Sequence, residues 1–272
     1  MIRISTRWLV TVVLLAICLA PGRESQARTA VKSPRILFVG NSLTYVGNLP
    51  ATLEGLSRVN RKPVVAEMLV QGGATLTQRL DDGSVETMLG ADRFDYVVLQ
   101  ERGGDILCEA DDETAMRDCD SWRAHRMLAD LARAHGAQPI LLGTYQSVPE
   151  VSRAIEASER TLAARIGAVH IPVSERIRGA VSANPDMNWF HKDGAHPGHD
   201  LVLLEAIAIY RAIRHVTPAA HAFSIPQTLL GPRAHFIGAP PQHPEETGSR
   251  RRVYEYEEAQ VAKIIAVEGP AT

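Results

Sequence analysis

Five short apolar runs alternate with helix-period segments between Ile36 and Ile213, and that alternation excludes most folds. The runs are Ile36–Val39, Pro63–Leu69, Tyr96–Gln100, Pro139–Gly143 and Ala168–Pro172. They are rich in strand formers and apolar on consecutive positions, the pattern of strands buried on both faces. Helical patterns separate and follow them, over Pro50–Asn60, Val85–Leu89, Trp122–His135, Pro149–Ile166, Ser174–Val181 and Leu201–Ile213. In Trp122–His135 the residues Met127, Leu128 and Leu131 are apolar at helical spacing. Parallel strands need long crossovers, and helices supply them. The pattern therefore predicts an α/β fold, a five-stranded parallel sheet covered by helices on both faces. A chain of 272 residues, 45% hydrophobic and 22% charged, is long enough for one well-buried core.

The two ends read differently. Arg3 and Arg7 precede an apolar run, Trp8–Ala20, which is short for a bilayer span and has the size of a signal-peptide core. Ser25-Gln26-Ala27 offers small residues at cleavage spacing. Residues 1–27 are thus expected to be a signal peptide, with export to the periplasm or beyond and no stable membrane association after cleavage. An uncleaved anchor is the alternative; Ile17 is too bulky before Cys18 for a lipoprotein site. The formal net charge is −2 and the leader is basic, so no positive field attracts nucleic acid. Cys108 and Cys119 remain as an even pair, expected to form a disulfide in an oxidising compartment. Their spacing fits no common zinc pattern. From Thr217 prolines recur. Pro240–Arg252 reads as an exposed connection, and Tyr254–Val267 as a terminal helix with Tyr254, Val261, Ile264 and Ile265 on one face. The expected organisation is a main domain over 34–215 and a C-terminal extension over 216–272 packed on it.

Chemistry is concentrated at strand ends. The first strand stops at Gly40-Asn41-Ser42, where glycine permits a sharp turn and Ser42 stands near the start of a helix. Ser42 can cap that helix, act as a nucleophile, or do both. A nucleophilic serine needs a base and an oxyanion site. His196 in Asp193-Gly194-Ala195-His196-Pro197 is the best base, and Asp193 three residues earlier can turn back onto its ring. The plain alternative is a loop histidine and a turn-forming aspartate. Gly73-Ala74-Thr75 follows the second strand, and Gln100 ends the third.

In order and context these blocks resemble the SGNH (GDSL-like) hydrolase superfamily over about Pro34–Ile213. The resemblance implies a three-layer α/β/α, flavodoxin-like sandwich. It implies Ser42 as nucleophile, His196 as base and Asp193 as its orienting acid. It implies an oxyanion hole from the N–H groups of Ser42 and Gly73 and the amide of Gln100. Asn41 stands where the family usually has aspartate, and Gln100 stands nearest where it has asparagine. Both departures look like a divergent branch with Gly-Asn-Ser and Leu-Gln-Glu blocks. The implied activity is hydrolysis of acyl esters, acetyl esters on carbohydrate foremost, whether small molecules or polysaccharide, through an acyl-enzyme. No metal or organic cofactor enters that mechanism. Trp189, near His196, could stack on a sugar ring or belong to the core. A lipase or thioesterase is the close alternative. A metal hydrolase built on His191, Asp193, His196 and His199, or a binding protein of this fold that has lost activity, are the distant ones.

Overall fold

In β1 (Arg35–Gly40) the four residues Ile36, Leu37, Phe38 and Val39 have no exposed surface. Ile36 and Phe38 join one buried cluster, Leu37 and Val39 another. Side chains alternate along a strand, so β1 needs an apolar layer on each face. The computed structural model describes residues 33–108, 119–146, 148–227, 235–238 and 252–268. The signal-peptide reading of residues 1–27 and most of the Pro240–Arg252 connection lie outside them.

After β1 come α1 (Ser42–Tyr45), α2 (Leu49–Val59), β2 (Val65–Gln71), α3 (Leu76–Asp81), α4 (Ser84–Ala91) and β3 (Tyr96–Leu99). Then follow α5 (Asp120–Ala134), β4 (Gln138–Leu142), α6 (Pro149–Ile166), β5 (Val169–Ile171), α7 (Val173–Ala183) and α8 (His199–Arg214). The tail adds β6 (Phe223–Gln227), β7 (His235–Gly238), β8 (Arg252–Tyr256) and α9 (Glu258–Glu268).

The five expected strands form a parallel sheet in the order β5-β4-β3-β1-β2. Leu53 and Leu56 of α2, Ile177 of α7 and Leu203 and Ile207 of α8 pack on one face. Leu76 of α3, Val85 and Leu89 of α4 and Leu128 of α5 pack on the other. Trp122, Ile155 and Leu162 continue that second layer over Leu141 of β4. The result is a three-layer α/β/α sandwich in the flavodoxin-like strand order. β2 lies on one side of β1 and β3 on the other, so the chain reverses direction across the sheet at β1. Clefts open at such a switch point, beyond the strands' C-terminal ends. Ser42 follows β1 directly.

α8 is buried at every position from Asp200 to Tyr210, as its nearly uninterrupted apolar sequence requires. In α5 Leu128 is buried, whereas Met127, expected on the same face, is 45% exposed; the two are consecutive and point about 100° apart around the helix.

The tail departs from the pattern expected of it. Residues 252–256 form β8, not the start of a helix, and helix begins only at Glu258. β8 alternates Val253-Tyr254-Glu255-Tyr256, a period-two pattern with tyrosines on one side, and pairs antiparallel with β6. β7 adds a sixth, antiparallel strand at the β2 edge, with Gln71 opposite His235. Tyr256, Val261 and Ile264 share the buried cluster of Ile36. The Tyr256 ring stacks on Phe223 at 4.8 Å, and its hydroxyl donates to the His199 carbonyl at 3.1 Å. A Cβ on Gly55 of α2 would sit 2.7 Å from Phe223, so only glycine lets the tail lie this close.

Cys108 and Cys119 form the expected disulfide, with Cα atoms 5.8 Å apart. It joins the segment after β3 to the start of α5, beside Trp122 and Ile106. A cross-link across this separation contributes about 3 kcal/mol in the chain-entropy picture.

Tyr256→Ala should lower the unfolding free energy by about 3 kcal/mol or more, the range for truncating a fully buried aromatic ring. Urea denaturation with an unchanged m-value checks this; a loss under about 1 kcal/mol would mean the tail does not share the core's cooperativity.

Candidate active site

The Gly40-Asn41-Ser42 turn is built by close approach. A Cβ on Gly40 would lie 2.4 Å from the Thr44 hydroxyl and 3.3 Å from the Gln100 carbonyl, so the position requires glycine. Asn41 is the N-cap of α1, its Oδ1 accepting from the Leu43 N–H at 3.0 Å. Its Nδ2 donates to the Gln100 carbonyl at 3.4 Å. Capping therefore falls to Asn41 rather than Ser42. Ser42 is the first residue of the helix and stays partly exposed.

The histidine loop is held by its own backbone. Asp193 Oδ1 accepts from the N–H groups of Ala195 at 2.9 Å and His196 at 3.0 Å. Its Oδ2 meets His196 Nδ1 at 2.7 Å. Gly194 adopts φ +71° between them, in the left-handed region. The backbone N–H groups of His196 and Ala195, then the His196 ring itself, hold the Asp193 carboxyl well below the usual carboxylate range. Asp193 is thus an anion at neutral pH, and an anion at Nδ1 fixes the tautomer that leaves Nε2 as the basic nitrogen.

Ser42 and His196 line one cleft of about 250 Å³. Leu43, Tyr145 and Phe190 form its apolar wall, and the exposed Arg102 and Gln146 stand at its mouth. Tyr145 is almost fully buried and donates through its hydroxyl to the Ala195 carbonyl at 3.1 Å.

Three predicted site residues stand elsewhere. Gln100 has no exposed surface. Its Oε1 accepts from the Thr44 hydroxyl at 2.6 Å, and its Nε2 donates to Glu205 Oε1 at 3.4 Å. The amide expected in the oxyanion hole thus points into the core, because α8 places a buried carboxyl beneath it. Gly73 is exposed at φ +72°, in the turn after β2. Its carbonyl accepts from Arg102 Nη1 at 3.1 Å, so it adjoins the cleft through Arg102 without lining it. Trp189 is 2% exposed and donates to the Asn184 carbonyl at 2.8 Å. It is a core residue, not a sugar platform.

His199 is also drawn away from the loop cluster. It opens α8 and stacks on Tyr254 at 3.4 Å. Burial pushes its imidazole down to about 4, against Asp200, which raises it. His191 Nδ1 meets Asp193 Oδ2 at 3.3 Å, beside the His196 ring. Among the described residues, no group of three or more His, Cys, Asp or Glu side chains is arranged to hold a metal.

Tyr145 and Glu205 are absent from the residues that the sequence pattern singles out. Glu205 carries a signal nonetheless: it is the only acid within the apolar stretch Leu201–Ile213. Tyr145 follows the fourth strand much as Gln100 follows the third. Burial raises Glu205 well above its ordinary value, with the Gln100 amide pulling weakly the other way. The carboxyl is therefore held in its neutral form.

No protein-family model matches this chain, and no curated protein matches it by sequence. Solved structures do match. A DUF4886 family protein from Bacteroides uniformis superposes with a TM-score of 0.51 at 14% identity, over 68% of this chain and 84% of that one. A catalytic mutant of Axe2, an acetylxylan esterase from Geobacillus stearothermophilus, gives 0.51 at 15% identity, over 67% and 95%. The psychrotrophic esterase EstA from Pseudoalteromonas gives 0.48 at 15% identity, over 67% and 98%. Axe2 is an esterase by name, and at these identities the likeness is one of fold.

The buried network can be tested at both of its ends. Gln100→Leu leaves the Thr44 hydroxyl and the Glu205 carboxyl without their partner, a loss of about 1–3 kcal/mol in unfolding free energy. In the folded fraction kcat should change less than about tenfold; a fall of about a hundredfold would return the amide to the oxyanion hole. Glu205 sets a pH dependence. Above the ordinary carboxylate pKa the unfolded chain has lost this proton and the native protein keeps it. Stability therefore falls as pH rises, by about 1.4 kcal/mol per pH unit for one proton. Urea titrations from about pH 5 to 7 should show a shallower decline in Glu205→Gln; equal slopes would mean that Glu205 is ionised in the fold.

Proposed function

We propose that this protein is an exported serine ester hydrolase that removes short acyl groups, acetyl foremost, from carbohydrate esters. The observation that carries the reading is the Asp193–His196 pair at 2.7 Å, with His196 and Ser42 lining one cleft at the β1 switch point. Asp193 holds the imidazole with its proton on Nδ1. Nε2 then takes the Ser42 hydroxyl proton as Oγ attacks the ester carbonyl. The N–H group of Ser42 stabilises the oxyanion. His196 returns its proton to the leaving alcohol. Water enters and adds to the acyl carbon as His196 takes its proton; the Ser42 Oγ–acyl bond then breaks, His196 returns the proton to Oγ, and the acid leaves. Each proton is carried by a side chain of this chain.

The substrate class rests on size and surroundings. A cleft of about 250 Å³ lies below the usual range for ligand pockets and suits a small acyl group. Its polar mouth, with Arg102 and Gln146, suits a hydroxyl-rich alcohol. The acetylxylan esterase among the structural neighbours bears a name of the same kind. Export rests on the N-terminal apolar run Trp8–Ala20.

Ser42→Ala should cost about 10⁴-fold or more in kcat on p-nitrophenyl acetate while the circular dichroism spectrum is unchanged. A fluorophosphonate probe should label wild type and not the variant. A folded Ser42→Ala enzyme that keeps a tenth of the activity would sink serine catalysis.

A further inference from the structure

We propose that Tyr145 and Phe190 form the closed end of the acyl site, so that these two rings set the length of acyl chain the enzyme accepts. The inference rests on Ser42 being the nucleophile and goes further, assigning the cleft's apolar wall to the acyl group and its mouth to the alcohol.

Depth and polarity run together in this cleft. Leu43 and Tyr145 are 9% and 6% exposed, and Phe190 is half-buried against the main core. Arg102 and Gln146 are exposed. An ester at Ser42 has one apolar arm and one oxygen-rich arm. Burying the apolar arm against the rings and leaving the other at the mouth avoids stripping water from hydroxyls that would go unpaired.

The wall is rigid as well as apolar. The Tyr145 and Phe190 rings lie 5.6 Å apart, inclined at 51°. Tyr145 cannot swing out without breaking its hydrogen bond to the Ala195 carbonyl. The Phe190 backbone is held by its bridge to Pro197 and by the flanking bonds His191 N–H to the His196 carbonyl at 2.9 Å and Gly198 N–H to the Trp189 carbonyl at 2.8 Å, and its ring packs on Tyr145 and the core. The residues that hold the acyl wall thus also hold the catalytic loop. A close-packed ring of this kind does not yield to a longer chain at small cost. In an open apolar channel each added methylene would raise kcat/KM roughly fourfold. Against a fixed wall it lowers kcat/KM once the space is full.

The decisive experiment measures kcat/KM for p-nitrophenyl acetate, butyrate and octanoate with wild type, Phe190→Ala and Phe190→Leu. Wild type should fall by about a hundredfold or more from acetate to octanoate. The octanoate-to-acetate ratio should rise about tenfold or more in Phe190→Ala and by a smaller factor in Phe190→Leu. A ratio is insensitive to the fraction folded, so a merely structural role for Phe190 would leave it unchanged. An unchanged ratio in both variants overturns the inference while the esterase reading stands. Wild-type turnover of octanoate equal to that of acetate does the same. Failure of wild type to hydrolyse any of the three, with no fluorophosphonate labelling of Ser42, overturns the esterase reading and this inference with it.

Discussion

The packing of Gly40 against Thr44 and Gln100 is the constraint on which the cleft depends. β1 is buried on both faces and must leave the sheet abruptly, because α1 begins two residues beyond its end. No side chain fits at position 40. The chain then needs a cap at once, and Asn41 supplies it while also holding the Gln100 carbonyl. Ser42 is left with neither duty. Below the turn, Thr44, Gln100 and Glu205 form a hydrogen-bonded line through the core, from α1 across the end of β3 to α8. A buried polar line costs least when its members are paired and uncharged; Glu205 Oε1 is paired, its Oε2 has no hydrogen-bond partner among the described residues, and burial favours the uncharged form.

The other half of the site is locked by shorter means. Asp193 satisfies two N–H groups and the imidazole of its own loop, within four residues. That is why Asp-x-x-His is legible as a unit in the sequence. Its geometry needs no distant partner. The five parallel strands are legible for a related reason: a strand buried on both faces must be apolar at consecutive positions, and β1 is. β6, β7 and β8 lack that mark. β6 carries Pro226 and β8 carries Arg252 and Glu255, and these two pair with each other in a two-stranded ribbon, where Phe223 and Ile225 are buried and Ser224 between them is exposed; β7 is four residues at a sheet edge. Tyr254 stands seven residues before Val261, a spacing that reads as one helical face with Ile264 and Ile265.

Gln100 marks the limit of local reading. Residue type and strand end are as expected, and the direction of the amide is not, because it depends on Glu205, 105 residues away in sequence. The neighbouring Glu101 behaves in the same way. Its Oε1 accepts from the N–H groups of Leu76 and Arg102, and its Oε2 from the Ser121 hydroxyl. Both polar side chains of the Leu-Gln-Glu block are thus spent on joining loops. Trp189 fails as a ligand platform for the opposite reason: a loop has no periodicity from which burial could be inferred.

The proposed triad is split between two distant loops, and it needs those loops held in register, since misplacement by about 1 Å costs orders of magnitude in rate. The tail contributes here. Tyr256 bonds the His199 carbonyl, and Gln260 bonds Asp200 at 2.6 Å, so β8 and α9 grip the first turn of α8. Asp200 in turn accepts from the Asn188 N–H at 2.6 Å, and Gly198 packs so tightly on Asn188 that a Cβ would meet its carbonyl at 2.2 Å. His196 stands two residues before that turn. On the serine side, Asn48 Nδ2 donates to the Pro226 carbonyl at 2.9 Å, so the same tail also touches the start of α2, just beyond α1. One C-terminal segment therefore fastens the serine and histidine loops from behind, while Tyr145 ties the histidine loop from within the cleft. The tail's aromatic content follows from that bracing. Large flat rings bury much area with few torsions to fix, which suits them to supporting a site that has to be rigid.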